Sequence, residues 1–203
     1  MEVPSTMSSG LAVGRAGQPP DRLLWAAAAC ALLYGTYRAY YALGGTVGMF
    51  GTPVSMSSWH AINGVAAAML LVAAIIPLAT RRLWTRSPWR AFLLAGAWVV
   101  AVGCVMHALI GIITRVLSLA GVLIIDYPFF STIDRTAADL QALFFNEPWF
   151  LVEGVLWGAI GWTALRSDTT RRRWILSAGG AIAVLTVIGV LSSLGVIGRL
   201  VIG

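Results

Sequence analysis

The sequence predicts an all-α membrane protein, a single bundle of five transmembrane helices with a cytoplasmic N-terminus and an external C-terminus. Three observations support this prediction. First, 59% of the 203 residues are apolar and only 11% are charged, whereas a soluble domain carries about 25% charged residues. Second, five apolar segments reach the length of about 20 residues that a spanning helix needs. Third, arginines gather in the short segments that join these helices at one end.

Short loops separate the five predicted spans, apart from one longer break before the fourth. The spans cover residues 23–43, 59–80, 91–110, 147–165 and 174–197. Ser57 or Ser58 is the predicted N-cap of the second span, because a serine hydroxyl can accept a hydrogen bond from the first helical turn. Segment 111–146 is apolar but is interrupted by charges and Pro128, so we expect an interfacial or re-entrant segment that caps the outer end.

The arginines predict the orientation. All fourteen basic residues are arginine, and the N-terminal stretch holds two, TRRLWTRSPWR holds four and RSDTTRRR holds four, which makes ten of the fourteen. The loop between the first two spans has none, so the positive-inside rule places the N-terminus in the cytoplasm. Residues 1–21 are predicted to form a flexible cytoplasmic tail, residues 22–203 the bundle, and the bacterial inner membrane is the expected location.

Composition also argues against several classes of function. Nucleic-acid binders place basic residues on a solvated face with interleaved aromatics, whereas these arginines lie in loops between apolar segments, so no nucleic-acid partner is expected. Cys30 and Cys104 lie inside apolar segments and form no CxxC pair. We therefore predict no metal site and no bound cofactor. The chain also lacks a DDxxD-like motif for binding a diphosphate.

The stretch YGTYRAYYALGG, residues 34–45, places Arg38 and four of the five tyrosines within eight positions. Tyr34, Arg38 and Tyr41 follow an i, i+4, i+7 spacing and so share one helix face, with Tyr37 beside it. In one interpretation Arg38 extends outward to the membrane surface while the tyrosines form an interfacial belt. In the other, Arg38 points into the bundle and meets an acid.

Glu153 is the best candidate for that acid. It lies about two turns inside the fourth predicted span, roughly 10 Å from its outer end, on the same face as Phe150 and Trp157. Pairing with Arg38 would lower the cost of both charges. Aromatic surroundings would instead keep the carboxyl neutral and make it a possible proton donor. Glu147, at the start of the same helix, has a structural role at the positive end of the helix dipole.

The chain has two histidines, His60 and His107. If the second and third spans are antiparallel neighbours, the two side chains lie at a similar depth. Such a pair could ligate a haem and support electron transfer. Alternatively, both histidines, together with Asn63, form ordinary hydrogen bonds inside the bundle.

These residues together predict a polar, aromatic-lined pocket in the outer half of the membrane. The candidate catalytic residues are Glu153 as an acid, Arg38 and His107. The candidate ligand-binding residues are Tyr34, Tyr37, Tyr41, His60, Asn63, Phe150 and Trp157.

Three hypotheses for function follow from this pocket. In the first, it binds a lipid, an isoprenoid-like ligand or a partner helix from another membrane protein or a second copy. In the second, the protein is a membrane-embedded enzyme that protonates an isoprenoid chain to start cyclisation, with Glu153 as the acid and aromatic rings stabilising cations. In the third, His60 and His107 bind haem. The polar residues stop in the outer half, which disfavours a transport path.

Two sequence motifs resemble a family of small bacterial integral membrane proteins of unknown function. These are YYALGGTVG at the end of the first span and PWFLVEGVLWGAIGW in the fourth, together with the histidine in the third. The family has a Tyr-Trp-Ala-x-Gly-Gly motif after its first helix and a Pro-Trp-Trp-Leu-x-Gly-Gly type motif entering its last common helix. The chain departs from it at Tyr41 and at Glu153, and its fifth span is an addition. The resemblance covers residues 24–165 and implies the fold and orientation but no reaction.

Overall fold

The structure, a computed structural model, describes residues 17–197 and is helical, as the sequence predicts. The predicted tail therefore lies largely outside the described residues, as do residues 198–203 of the predicted bundle. The described chain forms two short strands, β1 (Gly51–Pro53) and β2 (Phe130–Ile133). Its α-helices are α1 (Asp21–Ala42), α2 (Met56–Ala79), α3 (Ser87–Leu119), α4 (Arg135–Gln141), α5 (Glu147–Ala164) and α6 (Asp168–Ser193).

Three of these helices are long and apolar enough to cross a membrane, namely α2, α3 and α6. The other two long helices, α1 and α5, correspond to the first and fourth predicted spans. They carry two of the predicted site residues, Arg38 in α1 and Glu153 in α5. In the bundle, α1 packs against α2 and α5, and α5 packs against α3 and α1.

Local sequence explains where the helices begin. The first helix starts directly after Pro20 with Asp21 at the positive end of its dipole. Ser55 caps α2 by accepting a hydrogen bond from the Ser58 backbone N–H at 3.2 Å. The prediction of Ser57 or Ser58 as the cap was wrong, because the helix extends beyond the apolar segment to Met56.

The helices pack in the spatial order α2, α1, α5, α3, α6, with each packed mainly against its neighbours in that series. The expectation that the second and third spans are antiparallel neighbours was therefore wrong, since α2 and α3 share no extensive interface. The turn that joins them contains Trp84, which is only 1% exposed and packs into the core beside Leu24 and Ala97. The short link between α2 and α3 thus carries a large buried side chain at its tip.

The two ends of the bundle differ in chemistry. The arginine-rich end contains the α2–α3 turn, a short 3-10 helix at Leu83–Thr85, and the link between α5 and α6. The opposite, capped end carries β1, β2 and α4. The third span was predicted to reach at least about residue 110, and α3 continues to Leu119. Its 33 residues extend about 50 Å at 1.5 Å per residue, longer than the hydrocarbon core of about 30 Å.

The capped end contains an antiparallel pairing that the sequence did not predict. Gly51 pairs with Ile133 and Thr52 with Thr132, and the register shifts between Thr52 and Pro53. The next helix, α4, begins at the N-cap Asp134, whose carboxylate accepts a hydrogen bond from a backbone N–H in the first turn. A π-helical turn, Ala142–Asn146, then joins α4 directly to α5. The result is a folded cap over the ends of α1, α3 and α5.

Candidate functional site

The tyrosines of α1 lie inside the protein rather than in a surface belt. Tyr34 and Tyr41 are 4% and 3% exposed. The Tyr34 ring stacks on Tyr37 with ring centroids 5.8 Å apart, and its hydroxyl donates to Asn146 Oδ1 at 3.4 Å. The Tyr41 hydroxyl donates to the Val47 carbonyl at 3.0 Å. The belt interpretation is therefore wrong for these two residues, whereas Tyr40 is 40% exposed.

Arg38 turns into the protein, but it does not meet an acid. Its Nη1 donates to Asn63 Oδ1 at 3.1 Å, and its Cζ lies 5.5 Å from the centre of the Tyr34 ring. Asn63 is fully buried and donates in turn to the Trp59 carbonyl at 2.9 Å. Within residues 17–197, Arg38 forms no ion pair with Glu153 or another carboxylate. The predicted Arg38–Glu153 pair is therefore absent from the described chain.

Glu153 has a mostly apolar environment. Its Oε1 accepts a hydrogen bond from Trp157 Nε1 at 2.8 Å, a contact one helical turn along α5. The Cys30 thiol of α1 is its other polar neighbour. Its Oε2 is buried and has no hydrogen-bond partner among the described protein atoms. The carboxyl group is thus held mainly by the hydrogen bond from Trp157, with the Cys30 thiol as a weak donor beside it.

Glu153 lines an apolar cavity of about 300 Å³ that lies where α2 and α3 fail to pack together. Four helices contribute side chains to it, α1, α2, α3 and α5, and Glu153 supplies the one carboxyl group among the described lining residues. Three other predicted site residues, Tyr34, Phe150 and Trp157, also line this cavity. It extends past the middle of the bundle to Ile76 and Phe92, so it is not confined to the half near the capped end.

A second, polar cavity of about 150 Å³ lies at the capped end. Three predicted site residues line it, namely Tyr37, Arg38 and Tyr41, together with Arg115 and Gln141. The Gln141 side chain donates to the Tyr37 hydroxyl at 2.9 Å. The single predicted pocket is therefore two cavities of opposite chemistry, and the stacked Tyr34 and Tyr37 rings connect their walls.

The two histidines do not come together as the haem hypothesis requires. His107 has a 58% exposed side chain, and its Nε2 lies 3.9 Å from Glu147 Oε2 on α5. Its ring centroid lies 4.3 Å from that of Phe150. His60 belongs to α2, which packs on α1 rather than on α3. Neither histidine lines either of these cavities, and residues 17–197 contain no group of three or more metal-ligating side chains.

Sequence reasoning missed a polar cluster at the capped end. Asp139 is 2% exposed and accepts hydrogen bonds from Arg115 Nη1 at 3.2 Å, Tyr127 Oη at 2.6 Å and Ser118 Oγ at 2.5 Å. Burial, with the hydrogen bond to Asp139, raises the pKa of Tyr127 to about 12. The sequence signal was an arginine and an acid in an otherwise apolar stretch, but their separation of 24 residues gave no indication of pairing.

The fold and these cavities define a helical membrane protein with polar groups enclosed between its helices. Residues 31–157 match the family described as "Protein of unknown function (DUF3995)". The match covers more than half of the chain, so the protein belongs to this family. It ends before α6, which lies outside the matched region. No curated protein and no solved structure matches the chain.

Proposed function

We propose that this protein is a five-span protein of the bacterial inner membrane that holds an apolar ligand chain, such as a lipid or isoprenoid chain, in the apolar cavity. The observation that carries the proposal is the cavity itself. Its volume of about 300 Å³ lies at the lower end of the about 300–1,000 Å³ typical of ligand sites. Its lining is apolar except for a few polar groups that could orient a ligand, among them Glu153.

The proposal counts α1 and α5 as spans alongside α2, α3 and α6. Both are long helices packed against membrane-compatible helices, α1 along α2 and α5 along α3. The arginines then place the N-terminus and the arginine-rich end in the cytoplasm and the capped end outside. In this orientation the gap between α2 and α3 faces the bilayer, so an apolar ligand enters sideways from the lipid.

A variant that fills the cavity tests the proposal. Gly96 of α3 lines the cavity, and a Cβ atom placed there meets nothing within 4 Å. We expect Gly96→Leu to occupy the space and to remove apolar compounds that copurify with the wild type in mild detergent. The measurement is mass spectrometry of extracted small molecules.

Gly103→Leu is the matched control for this experiment. Gly103 lies on the same helix with the same open space around its Cβ position, but it lines neither cavity. A compound retained by the wild type and Gly103→Leu but lost from Gly96→Leu supports the proposal. Identical extracts from all three proteins contradict it and favour a partner protein or a second copy as the ligand.

A second candidate function is protonation of an unsaturated chain by Glu153. The unpaired, buried Oε2 supports it, because a carboxyl group in apolar surroundings is less costly as the neutral acid. The Trp157 and Tyr34 rings beside the same cavity could stabilise a carbocation. Glu153→Gln should then retain the bound chain but lose any cyclised product in a lipid extract. Unchanged product in that variant would exclude this function.

A further inference from the structure

The polar cavity carries positive charge in excess. Arg38 and Arg115 both line it, and no carboxylate is among its described lining residues. Arg115 is already neutralised, because it pairs with Asp139 at 3.2 Å just outside the cavity. Arg38 has only neutral partners in the described chain, the Asn63 amide and the Tyr34 ring.

The Arg38 side chain also keeps free hydrogen-bonding capacity. Its hydrogen bond to Asn63 uses Nη1, and its Nε is buried with no partner among the described protein atoms. A guanidinium has five N–H donors in a planar fork that matches the oxygens of a phosphate or carboxylate. Leaving a buried donor such as this Nε unpaired costs free energy, so an anion that accepts from it would stabilise the Arg38 side chain.

The two cavities are placed to receive the two parts of one molecule. Arg38 follows Tyr34 by one helical turn, about 6 Å along α1, and Tyr34 lines the apolar cavity while Arg38 lines the polar one. The polar cavity has about half the volume of the apolar one, which suits a single small polar group. The stacked Tyr34 and Tyr37 rings lie between the two cavities, so an amphiphile that occupies both would pass beside these rings.

We propose that the polar cavity binds a phosphate monoester group through Arg38, and that this phosphate is the head group of the chain held in the apolar cavity. This inference rests on the proposed function, which places the chain in the apolar cavity. The same phosphate chemistry could also come from free inorganic phosphate, and the experiment separates the two sources.

The test uses the full-length protein, delipidated in mild detergent, with three probes: farnesyl phosphate, farnesol and inorganic phosphate. Binding is measured by native mass spectrometry with titration. We expect the wild type to bind farnesyl phosphate at least about tenfold more tightly than farnesol, because charge-assisted hydrogen bonds to Arg38 add to the affinity. In Arg38→Gln the two prenyl probes should bind within about twofold of each other.

Two further variants control for charge and folding. Arg135→Gln removes an arginine from the same end of the molecule, but Arg135 is exposed and outside both cavities, so it should keep the wild-type preference. Arg38→Lys keeps the charge and should recover part of the preference for farnesyl phosphate. Circular dichroism of each variant establishes that its helices are intact.

The outcomes separate this inference from the proposed function. Equal binding of farnesyl phosphate and farnesol by the wild type would overturn the head-group site and leave the apolar cavity as a chain site. A preference that persists in folded Arg38→Gln would overturn the role of Arg38. Inorganic phosphate binding that depends on Arg38, with no binding of either prenyl probe, would support the anion site and overturn the chain site. No binding of any probe would overturn both.

Discussion

At the capped end, Asp139 accepts hydrogen bonds from three side chains, one of them the charged Arg115. In the apolar cavity, Glu153 accepts one side-chain hydrogen bond, from Trp157, and its second oxygen has no partner among the described protein atoms. Both acids belong to helices of the same bundle. Both oxygens of Asp139 accept hydrogen bonds, whereas Glu153 faces an apolar space.

This difference separates a structural role from a functional one. A buried carboxylate whose two oxygens both accept hydrogen bonds fixes the relative positions of the elements it joins, and Asp139 in this way joins α4 to α3 and to the loop before β2. Glu153 joins fewer elements, and its buried Oε2 without a partner costs free energy. Since Glu153 does not stabilise the fold in the way that Asp139 does, we assign it a role toward a ligand in the cavity.

The largest expected effect is the loss of stability in Asp139→Asn. The amide keeps the shape of the carboxylate but removes its charge, so Arg115 is left without its counterion. Breaking a buried pair costs about 3–5 kcal/mol, and we expect a loss of about 3 kcal/mol in the free energy of unfolding. Denaturant titration in detergent, followed by circular dichroism, measures it. Asp126→Asn is the control because Asp126 is exposed, and an equal loss in both variants would refute the structural role.

The next largest loss of stability is expected where α5 packs closely on α3, the two helices that form one side of the apolar cavity. A Cβ atom at Gly154 of α5 would lie 2.7 Å from Val105 Cγ2 and 2.9 Å from the Val105 backbone nitrogen of α3, whereas at Gly158 it would meet Ala101 at an ordinary 3.7 Å. Gly154→Ala should therefore cost about 1–3 kcal/mol in unfolding free energy. Gly158→Ala should be neutral or stabilising by up to about 1 kcal/mol. Similar thermal midpoints for the two variants would mean that α3 and α5 move apart easily.

A smaller effect is expected for Tyr127→Phe, which removes one of the three hydrogen bonds to Asp139. A loss of about 1 kcal/mol is typical for one hydrogen bond. Because the folded-state pKa of Tyr127 is raised from 10.0 to about 12, its contribution is fully present below pH 10 and is lost as the pH rises toward 12. Unfolding measurements at pH 7 and pH 11 should thus show a smaller difference between wild type and variant at pH 11. If the Tyr127→Phe loss is unchanged in an Asp139→Asn background, the two residues are not coupled.

The helices themselves could be predicted from the sequence because apolar length and arginine placement are local signals. The spatial order of the helices could not. Rise per residue gives the depth of a side chain but not which helix lies beside it, so His60 and His107 were assigned to neighbours that do not pack together. The β1–β2 pairing was also missed, because its strands are three and four residues long and lie far apart in the chain.

Only part of the site could be predicted, because helical spacing shows which residues share a face of one helix but not which helix lies opposite. Helical spacing grouped Phe150, Glu153 and Trp157 on one face of α5, and the structure places all three at one cavity. The predicted ion pair between Arg38 and Glu153 was wrong, because two charged residues at a similar depth need not face each other. Asn63, which was predicted as a pocket residue but grouped with the histidines, is the residue that Arg38 contacts instead.

The smallest effect on stability is expected for Glu153→Gln, which makes the same carboxyl-to-amide change as Asp139→Asn. The glutamine Oε1 can still accept the Trp157 hydrogen bond, and no cation within the described chain loses an ion pair with Glu153. We expect the free energy of unfolding to change by less than about 0.5 kcal/mol, measured in the same denaturant titration. Glu153→Ala, which removes the acceptor, is the control and should cost more. A loss in Glu153→Gln as large as that in Asp139→Asn would mean that Glu153 also stabilises the fold through a charged partner, and it would remove the physical reason for assigning it a role in the cavity.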